Sequence, residues 1–295
     1  GSHVEPVALE PLPRYPDEIV EGRVLVGSGP MKREAPLDRQ EDESVLILGA
    51  GAAGIMAAIT LRQEGFAGTI TMVSEEKYRP YDRTALSKTV LLSEPEKAHA
   101  PSLRSESFYG QNRISVKHGR IAAFDPATRI ATLSDGSVLT ADHVLIATGS
   151  RSQMLDLPGA DLKRVFTLHS EKDAEDIARV IDPDQAVTII GAGFIGLEVA
   201  SCLRQRGVGV TIIADTDVPM EKYFGREIGM RLRQLHEDNG VAFISDAKAV
   251  KIYGDKKAEG VELDDGMKLP ASFVLAGVGV TPVTDYIDGL DRDED

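Results

Sequence analysis

Two stretches of the chain share one pattern of apolar and small residues. The segments VLILGAGAAGIMAAITL at 45–61 and VTIIGAGFIGLEVASCL at 187–203 each begin with an apolar, β-branched run and continue into an Ala/Leu-rich stretch. Such a run predicts a buried strand, and the Ala/Leu-rich stretch predicts a helix. A Gly-x-Gly-x-x-Gly turn joins the two in both copies. The chain therefore contains the same strand-turn-helix unit twice.

The alternation of apolar and polar positions predicts further elements around each unit. For the first half these are helix 52–64, strand 69–74, a polar loop to about 114, a β-meander over 115–125, 128–133 and 137–140, and strand 143–147. For the second half they are helix 170–181, strand 187–190, helix 193–206, strand 209–213, helix 225–239, strand 241–244, a meander over 247–270 and strand 272–276. We therefore predict an α/β fold with two doubly wound halves, each interrupted by a β-meander.

The glycines of the two turns have separate physical roles. They form three equivalent pairs, Gly49 with Gly191, Gly51 with Gly193, and Gly54 with Gly196. The first pair makes the tight turn, the second lets backbone approach a pyrophosphate, and the third lets the helix pack on the strand. One such turn could be purely structural, but each copy here is followed by a strand with an acidic residue at its end. Two Rossmann-like dinucleotide sites are therefore expected.

Composition and charge narrow the functional class. The chain of 295 residues has 42% hydrophobic residues and a formal net charge of -14. Nucleic-acid binding needs a basic surface, so we expect no nucleic-acid partner. No apolar run is long enough for a membrane span and no signal peptide precedes the first strand, which predicts a cytoplasmic protein. The sequence gives no indication of the oligomeric state.

Cysteine usage argues against thiol chemistry. Flavoproteins that reduce a disulfide or a peroxide carry one or two cysteines just after the first unit, and 73–92 contains none. Cys202, the single cysteine of the chain, lies on the helix of the second unit, where a small packing residue is expected. If the chain binds a flavin, the electrons are therefore expected to leave it by a route other than a thiol.

Five motifs in order resemble one family. RPYDRTALSK at 79–88, the two glycine turns, ATG at 147–149 and GVGVTP at 277–282 are similar to the pyridine nucleotide-disulfide oxidoreductase superfamily. Within it they resemble the subgroup of apoptosis-inducing factor, putidaredoxin reductase and the ferredoxin reductases of aromatic-ring dioxygenases. The resemblance implies FAD in the first half and NAD(P)H in the second. It divides the chain into an N-terminal arm at 1–43, an FAD-binding domain at 44–158, an NAD(P)H-binding domain at 159–283 and an acidic tail at 284–295.

The resemblance also implies binding residues. For FAD they are Gly49, Gly51, Ala53, Gly54, Ser74, Glu75, Arg83, Lys88, Ile121, Ala147, Thr148, Gly149 and Arg151. For the nicotinamide dinucleotide they are Gly191, Gly193, Phe194, Ile195, Gly196, Glu198, Asp215, Gly277, Val278 and Gly279.

The residues that follow strand 209–213 favour NADH over NADPH. Where NADH enzymes of the family carry Glu, this chain has Ala214, followed by Asp215. A 2′-phosphate requires a nearby cation, and Asp215 and Asp217 have the wrong charge. The departure from Glu implies either weaker binding of the nucleotide or no turnover with it.

Lys88 and Glu198 are the candidate catalytic residues. Reduced flavin carries negative charge, which a nearby cation stabilises. Lys88 matches the last residue of the family's Arg-x-x-Leu-Ser-Lys motif. Its expected partner is Glu198, which matches a family glutamate that faces the nicotinamide. The alternative is a solvated lysine and an ordinary helical glutamate. No metal site is expected.

The two ends of the chain carry separate expectations. The segment VEPVALEPLPRYPDEIVEGRVLV resembles the last strands of a Rieske domain, with two short strands about a turn at Glu21-Gly22, although the chain lacks the Cys and His pairs that hold the cluster. A structured arm that packs on the reductase is the alternative. The family's last FAD-binding strand and its C-terminal interface domain are absent, so we interpret the chain as a fragment; a natural minimal reductase is the alternative. The opening Gly-Ser-His is either an expression remnant or native.

The predicted function is hydride transfer from NAD(P)H to FAD, followed by single-electron transfer to a ferredoxin or to a fused Rieske [2Fe-2S] centre. Local cations at Lys77, Arg79, Arg83 and Lys88 would suit an acidic carrier, or would serve only the FAD phosphates. Two alternatives stay open. One is a small-acceptor enzyme similar to monodehydroascorbate reductase or NADH oxidase, and the other is a redox-sensing scaffold similar to apoptosis-inducing factor.

Overall fold

The computed structural model describes residues 17–20, 23–26, 28 and 42–289, which form two compact units. Of these residues, the first unit contains those up to Tyr81, Ser102–Gly149 and those from Thr284 onward. The second unit contains Asp82–Pro101 and Ser150–Val283. The segment that carries Arg83 and Lys88 thus belongs to the second unit.

Nineteen strands are present among the described residues. They are β1 Asp17–Val20, β2 Arg23–Val26, β3 Ser44–Leu48, β4 Thr69–Ser74, β5 Ile114–His118, β6 Ile121–Asp125, β7 Ile130–Leu133, β8 Val138–Thr140, β9 His143–Ile146, β10 Ser150–Ser152, β11 Val165–Phe166, β12 Ala186–Ile190, β13 Gly209–Ile213, β14 Val241–Ile244, β15 Ala249–Tyr253, β16 Gly260–Leu263, β17 Lys268–Pro270, β18 Phe273–Ala276 and β19 Val280–Pro282.

Five α-helices accompany them in the same ranges of the chain. They are α1 Ala52–Gln63, α2 Glu106–Gln111, α3 Glu171–Ala178, α4 Phe194–Gln205 and α5 Glu221–Asp238, with short 3₁₀ turns at Arg83–Ala85 and Pro95–Lys97 and a π-helical turn at Leu86–Val90. Helix α5 is interrupted at Gly225, whose φ of 79° is not helical.

The two units repeat one topology. In the first, a parallel sheet has the order β5-β4-β3-β9, and in the second a parallel sheet has the order β14-β13-β12-β18-β11. Antiparallel meanders, β6-β7-β8 and β15-β16-β17, are inserted before β9 and β18 respectively. The predicted pair of Rossmann-like halves, each with a meander, is therefore confirmed.

The buried residues explain why these segments fold in this way. In the first unit, the faces of β3 and β4 pack on α1 through a cluster that includes Ile47, Ile55, Ile70 and Met72, each fully buried. A parallel sheet covered on both sides requires such continuous apolar strands. Helix α4 has the matching position in the second unit, with Val199 and Leu203 buried.

One predicted segment is divided between two sheets. The stretch 115–125 was expected to be the first meander strand, but β5 lies at the edge of the parallel sheet and only β6 belongs to the meander. The N–H of Gly119 still donates to Ser74 O at 2.8 Å, after which the chain leaves the parallel sheet. Apolar and polar residues alternate at the start of β5, whereas β6 begins with four apolar residues, and neither pattern identifies the sheet to which its strand belongs.

The predicted polar loop to about 114 contains helical structure. Leu86, Val90 and Leu91 are buried within and just after the π-helical turn, and α2 follows further along. Short turns of this kind bury too few residues to establish a periodicity that can be recognised in the sequence.

The two strands expected near the start of the chain are present. β1 and β2 pair in antiparallel fashion from Asp17↔Val26 to Val20↔Arg23. The expected turn at Glu21-Gly22, most of the N-terminal arm and the acidic tail beyond 289 lie outside the described residues. Within the part that is described, no helix is long and apolar enough to cross a membrane.

Candidate functional site

The first glycine turn lies at the carboxyl edge of the first parallel sheet. Gly49 follows the central strand β3 with a φ of 113°, and its N–H donates to Val73 O at 3.0 Å. A Cβ at this position would be 2.1 Å from Ala147 O. A Cβ at Gly54 would be 2.1 Å from Gly49 O, so the helix also requires glycine to approach the turn. This edge is where doubly wound sheets bind ligands.

The second glycine turn has the same geometry in the second unit. Gly191 has a φ of 105°, and its N–H donates to Ile213 O at 2.8 Å. A Cβ at Gly191 would be 2.4 Å from Gly277 O, and one at Gly196 would be 2.2 Å from Gly191 O. The sequence repeat is therefore also a structural repeat, with each turn packed against the strand end that follows the meander.

The middle glycine of each turn differs from its neighbours because it faces open space. A Cβ at Gly51 would meet no atom within 4 Å, and one at Gly193 would meet only Gly277 O, at 3.8 Å. Both residues are N-cap residues without a side-chain hydrogen bond to the helix. Open space therefore lies beside the residue that precedes each helix, at the end where the first amides of α1 and α4 have no partner within the helix. This arrangement fits a dinucleotide pyrophosphate.

Acidic residues follow the second strand of each sheet. Gly49 bonds to Val73 and Gly191 to Ile213, so the two strands can be aligned through these bonds. Ser74 then corresponds to Ala214, and Glu75 to Asp215. Ala214 is buried and its N–H donates to Ile244 O at 2.9 Å, whereas Asp215 is exposed. Asp215 therefore occupies the position that Glu75 occupies in the first unit.

The residues predicted at the adenosine of FAD lie near the end of β4. Glu75 is an exposed residue whose Oε1 is 3.9 Å from Arg120 Nε. Ser74 donates its hydroxyl to Glu76 O at 3.1 Å. Ile121 begins β6, one residue after Arg120. Their role at an adenosine stays a prediction.

The ATG motif follows β9 at the same sheet edge. Ala147 packs against Gly49, and Thr148 Oγ1 lies 3.1 Å from the hydroxyl of Tyr286. Tyr286 is buried, and burial raises the pKa of its hydroxyl. Its carbonyl accepts the N–H of Phe124 at 2.7 Å, so the segment after Thr284 joins the first unit. Sequence analysis assigned no role to Tyr286.

Three of the predicted FAD residues belong to the second unit. Arg83 Nη1 donates to His169 O at 2.5 Å, and Arg151 lies in β10, where it pairs with Thr281 of β19. The third is Lys88, described next. The other ten predicted FAD residues all lie in the first unit. They are Gly49, Gly51, Ala53, Gly54, Ser74, Glu75, Ile121, Ala147, Thr148 and Gly149.

The residues predicted at the nicotinamide dinucleotide lie together in the second unit. Phe194, Ile195 and Glu198 belong to the first turns of α4, and Gly277, Val278 and Gly279 follow β18. Phe194 is 55% exposed and contacts the rings of Tyr223 and Phe224. Their contact with a nucleotide stays a prediction.

The predicted pairing of Lys88 with Glu198 is confirmed. Lys88 Nζ lies 2.7 Å from Glu198 Oε2 and donates to Thr84 O at 3.0 Å. The same carboxylate oxygen accepts the hydroxyl of Ser87, which is buried. Both members of the pair are partly exposed, with side-chain exposures of 49% for Lys88 and 35% for Glu198. A bound molecule could therefore reach them.

Ser87 is a site residue that sequence analysis missed. It lies in the same motif as Lys88, but a serine beside a lysine gives no sign of its partner in the sequence. The π-helical turn directs Ser87 and Lys88 toward α4, where both meet one carboxylate. Such π-helical turns often occur at functional sites.

Cys202 is a packing residue, as its position in α4 predicted. It is 4% exposed, and its Sγ donates to Ser87 O at 3.1 Å. Burial, with a smaller effect from the charge of Glu198, raises the pKa of the thiol to about 11. A thiol of this kind is not a redox nucleophile at neutral pH.

Cys202 should therefore resist alkylation in the folded protein. With a pKa of about 11, only about 0.1% of the thiol is ionised at pH 8, and the thiolate is the reactive form. We expect iodoacetamide to modify Cys202 rapidly in denaturant and hardly at all without it, as measured by intact mass. Rapid native modification would contradict the assignment as a packing residue.

Known proteins are similar to this chain over most of its length. It is 38% identical over 239 residues to the ferredoxin reductase component of chlorobenzene dioxygenase from Cupriavidus sp. (strain PS12), a match that covers 81% of this chain and 58% of that protein. It is 32% identical to human apoptosis-inducing factor 3, over 83% of this chain and 40% of that protein. The chain thus spans little more than half the length of the dioxygenase and rhodocoxin reductase components that it matches.

Solved structures are similar in the same way. A ferredoxin reductase from Rhodopseudomonas palustris matches 83% of this chain and 61% of its own with a TM-score of 0.79 and 33% identity. Putidaredoxin reductase in its covalent complex with putidaredoxin matches 82% of this chain and 59% of its own, with a TM-score of 0.77 and 28% identity. The family described as pyridine nucleotide-disulphide oxidoreductase matches residues 43–295. The chain therefore belongs to the pyridine nucleotide-disulphide oxidoreductase family, whose members use FAD and NAD(P)H.

Proposed function

We propose that this protein is a flavoprotein reductase that takes a hydride from NADH onto FAD and passes single electrons to a ferredoxin-type iron–sulfur acceptor. The observation that carries the proposal is the repeated glycine turn, with equivalent hydrogen bonds and an open middle glycine in both units. A protein with two dinucleotide sites is suited to transfer between two dinucleotides.

The two turns provide the binding part of this function. The first amides of α1 and α4 would each hold a pyrophosphate, and Glu75 and Asp215 would accept hydrogen bonds from adenosine ribose hydroxyls. FAD, when bound, supplies the hydride acceptor. The protein itself binds and orients both molecules and stabilises the charge that appears during transfer.

Lys88 provides the charge stabilisation. Its ammonium group is held by Glu198 Oε2 and Thr84 O, and the hydroxyl of Ser87 donates to the same carboxylate oxygen. An ammonium fixed by several partners does not need to reorient when negative charge develops, which is the condition for electrostatic catalysis. Glu198 has a second role at the nicotinamide, because it lies on α4 two residues after Gly196.

Preference for NADH follows from Asp215. In the second unit, this exposed carboxylate occupies the position equivalent to Glu75, where it would face the ribose of the nucleotide. A 2′-phosphate at that ribose would meet a like charge. Two unit charges at about 4 Å repel by roughly 1 kcal/mol in water and more where water is excluded.

Asp215→Ser should therefore reduce the preference for NADH. We expect the ratio of kcat/KM for NADH over NADPH to fall by about tenfold, because removal of about 1.4 kcal/mol of repulsion changes a rate constant by that factor. Asp184→Ser, which alters an exposed carboxylate at the amino end of β12, is the matched control and should leave the ratio nearly unchanged. An unchanged ratio in Asp215→Ser would show that the carboxylate does not face the ribose.

The acceptor is proposed from the relatives and from the cysteine content. Several relatives are named ferredoxin reductases, and the one cysteine of this chain is buried, which disfavours a thiol relay. The test is NADH-driven reduction of cytochrome c by the flavin-loaded protein with and without a ferredoxin. We expect reduction to depend on ferredoxin. Equal rates without it would favour a small-acceptor oxidoreductase instead.

A Rieske centre joined to the N-terminal side is the finer form of this proposal. It is supported by the antiparallel pair β1 and β2, which lies where the last strand pair of such a domain was expected. The absorption spectrum of the full-length protein tests it, because flavin bands alone would contradict a fused iron–sulfur centre.

A further inference from the structure

Three side chains with metal-binding atoms lie close together in the second unit. They belong to residues that play no part in the proposed reaction. They are His99, which follows the 3₁₀ turn Pro95–Lys97, and Glu171 and Glu175 of α3. Their nearest ligand atoms all lie within 4.8 Å of one another. Within the described ranges this is the one group of three such residues that meets this distance.

The separations suit a tetrahedral ion. His99 Nδ1 lies 3.1 Å from Glu171 Oε1 and 3.8 Å from Glu175 Oε1. Zinc binds imidazole nitrogen and carboxylate oxygen at about 2.0–2.2 Å, so two ligands at a tetrahedral angle are separated by about 3.4 Å. The two observed distances lie on either side of that value, so the three groups could meet one ion with small rotations of their side chains.

The position of the two glutamates on α3 creates a local excess of negative charge. They are four residues apart on one face of the helix, and their side chains are only 7% and 12% exposed. Glu171 is the more buried of the two, and keeping its charge out of water costs free energy. Arg179 Nη2 reaches Glu175 Oε2 at 3.3 Å, while Oε1 of the same carboxylate lies toward His99.

A cation at the meeting point of these atoms would offset that cost, because buried charges are tolerated when they are paired or coordinate a metal. His99 is 62% exposed, so an ion can enter from solvent and keep water in its remaining position. Three protein ligands and an open fourth position form a common zinc arrangement.

We propose that His99, Glu171 and Glu175 form a binding site for a divalent metal ion of the zinc type, which fastens the segment Asp82–Pro101 to helix α3. The ligand set of one imidazole and two carboxylates suits zinc better than magnesium, which retains most of its water. The sequence did not indicate this site, because His99 and Glu171 are 72 residues apart and form no motif with ligand spacing.

Calorimetric titration of the full chain with zinc chloride tests the proposal. We expect one equivalent to bind, and the affinity to fall by more than about tenfold in His99→Ala and in Glu175→Gln, since even the outer partners of zinc ligands contribute about 10–100-fold. His143→Ala is the matched control, because His143 is 61% exposed and lies 3.5 Å from a single carboxylate, that of Glu43. It should bind zinc as the unchanged protein does.

Thermal unfolding gives a second measurement that does not depend on activity. Zinc that binds the folded state raises the melting temperature, and this rise should disappear in His99→Ala and persist in His143→Ala. Magnesium should cause no rise. The proposal would be overturned if zinc did not bind, or if zinc affinity and melting temperature were equal in all variants. Either result would leave the proposed reductase function untouched.

Discussion

Lys88→Ala should slow the reduction of bound flavin by NADH by about 10–100-fold while FAD remains bound. Removal of one preorganised group that stabilises developing charge typically costs about 10²–10³-fold in rate. The lower range is expected here because Lys88 is 49% exposed and water can partly replace its charge. Stopped-flow absorbance of the flavin band measures the rate, and the bound flavin is quantified after denaturation.

Lys268→Ala is the matched control for this variant. Lys268 also lies in the second unit beside a glutamate, with Nζ 3.7 Å from Glu262 Oε2, but it belongs to the meander strand β17. It should reduce flavin at the normal rate. Lys88→Arg should recover part of the lost rate because it keeps the charge but not the geometry of the ammonium. Unchanged reduction in Lys88→Ala would remove Lys88 from the mechanism.

The pairing of Lys88 with Glu198 illustrates what sequence reasoning can and cannot reach. Each residue was found by its match to a family motif, and their contact at 2.7 Å confirms the pairing. The third member, Ser87, was not found because its role depends on the local π-helical turn. A motif identifies residue types at fixed spacings, whereas the direction of a side chain depends on backbone that the motif does not describe.

The fold was predictable to the extent that glycines and apolar runs encode it. Gly49 and Gly191 require a positive φ and a close backbone contact, so their spacing carries geometric information that other residues lack. The division of 115–125 into β5 and β6 was not predictable in the same way. Both segments have residues typical of strands, and the sheet to which each belongs depends on the strand that pairs with it.

Contacts between residues far apart in the sequence were the hardest feature to predict from the sequence. Tyr286 reaches Thr148 across 138 residues of sequence, and His99 reaches Glu171 across 72. Neither pair has a local spacing that suggests its partner. Such contacts result from the return of the chain to an earlier unit, which the order of elements along the sequence does not reveal.

Substitutions at the middle glycines, Gly51 and Gly193, should affect dinucleotide binding much more than folding. Gly51→Val and Gly193→Val should lower the free energy of unfolding of the ligand-free protein by only about 1 kcal/mol, because valine is a poorer N-cap residue than glycine. Both residues have extended backbone, with φ of -74° and -81°, and a Cβ at either position has at least 3.8 Å of clearance. Gly49→Ala, by contrast, places a Cβ 2.1 Å from Ala147 O and should fail to fold stably.

Gly51→Val and Gly193→Val should each weaken the binding of one dinucleotide. The added side chain occupies the space that a pyrophosphate would fill, and overpacking of about 1–3 kcal/mol corresponds to a loss of affinity of about 5–150-fold. Gly51→Val should therefore bind FAD weakly, whereas Gly193→Val should keep FAD and bind NADH weakly, as measured by fluorescence titration and calorimetry. Normal NADH binding in a folded Gly193→Val protein would mean that the second turn serves only to join β12 to α4, and hydride transfer between two dinucleotides would then have no second site.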